Sequence, residues 1–87
     1  MFNNLKTNIK MDEIRKLADK IILDYHITIE DKTNRLLQLD AIQYTNLGTE
    51  STKGERMGVK ANSKYIYKKI KDINPDVGKQ LIGNMDV

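Results

Sequence analysis

The sequence predicts an all-α fold: a small three- to four-helix bundle with a basic, Gly-containing loop between helices 2 and 3. Three observations lead there. Apolar residues recur at three- and four-residue spacing through separate stretches of the chain. Cap-forming residues, Gly and Pro fall where those stretches must start and stop. The one β-like alternation, Tyr25-His26-Ile27-Thr28-Ile29, is short and lies between two helical patterns.

The first helix is expected from about Met11 to Tyr25. At 100° per residue, Met11, Ile14, Leu17, Ala18, Ile21, Ile22 and Tyr25 share one broad face, and Asp12, Lys16, Asp19 and Lys20 point away from it. His26 then follows the helix end, where a partly cationic ring suits the dipole. Thr28 has the form of an N-cap for a second helix, with Glu30 and Asp31 in its acid-favouring first turn. That helix should run from Ile29 to Tyr44 or Thr45. Its apolar residues, among them Leu36, Leu37, Leu39, Ala41 and Ile42, cover more of the circumference than one packed face needs. Helix 2 is therefore either central or has a second face for a partner, centred on Leu39 and Ile42. Asp40 projects into this arc, where a buried carboxylate needs hydrogen bonds or a cationic partner; it reads as a rim position or a cap for a neighbouring helix, or else as a buried ion pair or a contact to a bound partner.

Residues 46–62 read as irregular, with Gly48, Gly54 and Gly58 spaced through them. Within them, Thr52-Lys53-Gly54-Glu55 has capping-box form and suits one short turn ending at Gly58. A third helix should begin near Asn62 or Ser63 and stop by Asn74, because Pro75 restricts the residue before it. Ile66, Ile70 and Ile73 stack on one face, with Lys64, Lys68 and Lys71 rotated to the other. Asn74-Pro75-Asp76 should open a fourth helix that Gly83 ends. The whole, residues 1–87, reads as one domain, with 1–10 and 84–87 frayed.

Composition narrows the function. Cysteine is absent, which removes a disulfide framework and a thiolate zinc site; a nucleophile–base pair of the usual kind would have to use the single histidine, His26, which reads as structural. No catalytic residues, metal or cofactor are expected, so the protein is read as a non-enzyme. Gly48 to Gly54 has neither the spacing nor the closing Gly-Lys-Ser/Thr of a phosphate loop. The longest apolar run, Ile21-Ile22-Leu23, is far too short to span a membrane, and Met1 to Lys6 lacks a signal-peptide core. A cytoplasmic, reducing location is the expectation.

Charge supplies the remaining signal. The net charge is only +3, and residues 1–45 balance seven basic against seven acidic side chains. Residues 53–71, by contrast, hold seven basic side chains and only Glu55 as an acid. Such an excess is the footprint of a polyanion or acidic-protein site, or else a solvated lysine-rich face. Thr52 to Lys71 has the order short helix, Gly58-Val59 turn, basic helix, and so resembles a helix-turn-helix unit over about twenty residues. It departs from that pattern in a first helix about a turn too short, in Gly54, and in offering lysines where Arg, Asn or Gln would read bases. The resemblance implies a small DNA- or RNA-binding protein, regulatory or architectural. Lys53, Arg56, Lys60, Lys64, Lys68 and Lys71 would hold phosphates, and Tyr67, or Tyr65 on the other flank, would stack or donate. The competing expectation is a protein–protein interaction module. It would be an adaptor, an inhibitor or a small assembly subunit of the kind phages and mobile elements encode. Its basic face would meet an acidic partner, and Leu39 and Ile42 would form that contact or a homodimer.

Overall fold

A computed structural model describes residues 11–47 and 51–85, and within them four α-helices and no strand. They are α1 (Met11–Ile22), α2 (Ile29–Leu47), α3 (Lys53–Ile73) and α4 (Pro75–Met85). The frayed ends expected at 1–10 and 86–87 lie outside the described residues, as do Gly48, Thr49 and Glu50. Residues 84 and 85 are helical, so α4 runs through Gly83 rather than stopping there.

α1 is shorter than its periodicity suggests. Its ladder ends with the Leu23 amide donating to the Asp19 carbonyl and the Asp24 amide to Ile21. Tyr25 consequently leaves the apolar face and is 91% exposed. His26 does not cap the helix: its amide donates to Asp24 Oδ1, and the Lys32 ammonium takes over the C-terminus through the Ile22 carbonyl at 2.7 Å. A cation donating to the last carbonyls complements the negative end of the dipole. Thr28 caps α2 as anticipated, with Oγ1 accepting from the Asp31 amide at 3.0 Å.

The largest departure is α3. Thr52 Oγ1 accepts from the Glu55 amide at 3.1 Å, and Glu55 Oε1 accepts from the Thr52 amide at 2.8 Å. This reciprocal box starts a helix that does not stop at Gly58 but continues unbroken to Ile73. The expected basic loop over 53–60 is therefore the first two turns of α3, and no turn interrupts it at Gly58-Val59. A glycine costs a helix about 1 kcal/mol relative to alanine. Burial of Val59, Asn62, Ser63, Ile66 and Ile70 along one face outweighs two such costs.

α3 is the hub: α1, α2 and α4 all pack on it, and among the described helices α4 packs on no other. The core joins Ile14 and Ala18 of α1, Leu36 and Leu39 of α2, and Ile66 and Ile70 of α3. Leu39 is only 5% exposed within this cluster, so it is a core residue and not a partner contact. Ile42 is half-buried. Asn74 closes α3 by donating to the Ile70 carbonyl and opens α4 by accepting from the Gly78 amide. α4 then folds back along α3, and a Cβ on Gly78 would stand 2.3 Å from Lys71 Cα. That closeness requires glycine there.

Candidate nucleic-acid interface

Because α3 is one helix, its basic residues fall into register. At 100° per residue, Lys53, Arg56, Lys60, Lys64, Lys68 and Lys71 occupy an arc about 120° wide and about 27 Å long. All six are exposed, and none of the five lysines is paired with a carboxylate among the described residues. Arg56 is held by the Ser51 carbonyl, which accepts from one Nη at 2.8 Å. The other basic residue of the helix, Lys69, lies off the arc and meets Asp19 at 3.9 Å. The stripe is not a bare outward face, however. α4 lies along it, with Gly78 against the Lys71 backbone and Met85 beside Lys60 and Lys64.

On the α1 side, Lys64 and Lys68 gain a cation that sequence reasoning missed. Arg15 lines the same shallow depression of about 280 Å³, together with Tyr65. Its guanidinium sits 5.0 Å from the Tyr65 ring centre, a cation–π distance, and its Nε donates to Asn62 Oδ1 at 2.9 Å. The Tyr65 hydroxyl in turn donates to Asp19 Oδ1 at 2.7 Å, which raises the phenol pKa above its ordinary value. Arg15 carried no signal in the sequence, because only the packing of α1 on α3 brings it to Lys64.

On the α2 side, the stripe borders a cleft of about 530 Å³. Tyr44 and Leu47 of α2 form one wall, Leu81 and Met85 of α4 the other, and Tyr67 lies between. Arg56 and Lys60 also line it. Both are exposed.

Beneath the cleft lies the site of Asp40, 7% exposed. Neither a rim position nor an ion pair accounts for it; hydrogen bonds do. Tyr67 OH donates to Oδ2 at 2.6 Å, Gln43 Nε2 donates to Oδ1 at 2.9 Å, and the Ser63 hydroxyl donates to Oδ1 as well. Ser63 Oγ accepts a second Gln43 Nε2 proton at 3.1 Å and lies 3.0 Å from Tyr44 OH. Burial, then the Asp40 hydrogen bond and its negative charge, push the Tyr67 phenol far above its usual range, so it stays a donor. Tyr67 was expected to face a nucleic acid. Its hydroxyl is committed to Asp40 instead, and the residue lines the cleft. Ser63 is fully buried, so this carboxylate–hydroxyl cluster offers no open nucleophile. Gln43 Oε1, buried in the same cluster, has no hydrogen-bond partner among the described residues, but the remaining bonds tie α2 to α3.

Among the described residues, no group of three or more His, Asp or Glu side chains stands in metal-binding proximity, and no helix is long and apolar enough to cross a membrane. Comparison of the chain with protein-family models, with curated proteins and with solved structures finds no match.

Proposed function

We propose that this protein binds the phosphate backbone of nucleic acid through the basic face of α3, with little sequence selectivity. The observation that carries the reading is the alignment of six exposed cations on a single rigid helix, five of them lysines without a carboxylate partner among the described residues. Cations spaced over about 27 Å match a run of phosphates, each of which releases counterions when neutralised. Lysine supplies point charges rather than the bidentate forks that read base edges, so the contacts position without specifying. Because α4 lies along the stripe, α3 does not present the bare face that a helix inserted into the major groove requires. The long side chains on either side of α4, with Arg15 beside Lys64 and Lys68, suit contact across the backbone instead. This favours an architectural over a sequence-reading role.

Fluorescence anisotropy of labelled duplex DNA and single-stranded RNA, titrated at several salt concentrations, tests this. Contacts from all six side chains give a slope of log K against log salt near about −5 on duplex DNA. The triple substitution Lys64→Gln, Lys68→Gln and Lys71→Gln should remove about half of that slope and leave the fold intact. Absence of binding at low salt would sink the reading and turn attention to an acidic protein partner.

A further inference from the structure

The cleft between α2, α3 and α4 has the form of a ligand site, and this inference stands apart from nucleic-acid binding. Its volume of about 530 Å³ falls within the range of about 300–1,000 Å³ usual for small-molecule pockets. Its walls are apolar and come from three separate helices: Leu47 from α2, Leu81 and Met85 from α4, and Tyr67 from α3. The polar atoms of its two tyrosines are already occupied, Tyr67 OH by Asp40 and Tyr44 OH by Ser63, and the other uncharged polar side chain among its described lining residues, Asn84, is exposed. An apolar body is what such a surface accepts without leaving a polar group unpaired.

The electrostatics select the other end of the ligand. Arg56 and Lys60 line the cleft from exposed positions, and no carboxylate is among its described lining residues. Arg56 spends one Nη on Ser51, which holds the guanidinium in place and leaves donors for an anion. A positive mouth above an apolar interior complements an amphiphile with a hydrocarbon chain and a single anionic head. We propose that this cleft binds a small amphiphilic carboxylate of fatty-acid type, with its chain between α2 and α4 and its head on Arg56 and Lys60.

The test uses the full chain, isotopically labelled, with decanoate and decanol as probes below any micellar concentration. Amide shifts that saturate at Leu47, Leu81 and Met85 on adding decanoate are the expected result. The exposed pair should set the head-group preference: Arg56→Gln with Lys60→Gln weakens decanoate at least tenfold and changes decanol binding less than twofold. A second variant, Leu81→Asn, checks the chain site by weakening both probes, with circular dichroism establishing that it remains folded. Lack of saturable shifts, shifts confined to the exposed Leu23, Tyr25 and Ile29 at the far connection, or decanoate affinity unaltered in the double variant would each overturn the proposal.

Discussion

Asp40 shows how a single side chain can constrain the bundle. Its carboxylate accepts from Tyr67, Gln43 and Ser63 at a position only 7% exposed. Removing one partner of a buried bond leaves the others unsatisfied, and this costs more than the bond contributed. Asp40→Ala should therefore destabilise the protein by about 2–4 kcal/mol, and Tyr67→Phe by about 1–2 kcal/mol, as read from urea unfolding midpoints. The same phenol predicts a pH dependence. Its folded pKa is raised above the ordinary value of 10.0, so the folded state holds the proton more tightly than the unfolded chain does. The associated stability is fully present below pH 10 and is lost as the pH climbs through the folded pKa. Urea midpoints measured upward from pH 10 should fall, and Tyr67→Phe should flatten that fall; an unchanged decline would assign it elsewhere. Tyr65, raised through its bond to Asp19, contributes in the same direction.

Among the elements, α3 and α4 depend on their ends and on one close approach. The Thr52–Glu55 box satisfies orphan donors at the start of a helix that carries glycines in its first two turns. Thr52→Ala should cost about 1 kcal/mol and fray α3 as far as Val59, visible as faster amide exchange over residues 53–58. Glycines in α4 give a paired test. Gly83 faces open space, so Gly83→Ala should stabilise the protein by about 0.5–1 kcal/mol through helix propensity alone. At Gly78 the same substitution drives a methyl into the Lys71 backbone, which cannot rotate away. Gly78→Ala should thus destabilise by about 1–3 kcal/mol and lift α4 from α3, despite the identical gain in propensity. Equal melting temperatures for the two variants would show that α4 is not seated as described.

For the molecule as a whole, the arrangement makes one helix serve several roles. α3 supplies the core face, half of the Asp40 network and the cationic stripe, and its two flanks are completed by different neighbours. Arg15 of α1 extends the stripe on one side, and α2 with α4 builds the cleft on the other. Arg56 and Lys60 belong to both the stripe and the cleft. If each holds an anion in turn, decanoate at saturation should weaken duplex DNA binding severalfold at low salt, whereas decanol should not. Anisotropy competition reads this directly.

Local patterns were enough to show four helical stretches, the Thr28 and Asn74-Pro75 boundaries, the capping box at Thr52, and the isoleucine face of α3 with Lys64, Lys68 and Lys71 opposite it, because caps and 3.6-residue periodicity act within a turn or two of the chain. Where a decision needed distant residues, the pattern ran out. Gly54 and Gly58 read as a loop, since propensity cannot weigh the burial of Val59 and Asn62 that carries the helix through them. Leu39 read as a partner contact and Tyr67 as a nucleic-acid contact, yet packing of α3 on α2 turns one into core and ties the other to Asp40. Arg15, Leu47 and Met85 carried no signal, and Leu81 read only as part of the apolar side of the fourth helix. Periodicity assigns a residue to a face of its own helix, and only the tertiary structure decides which other helix that face meets.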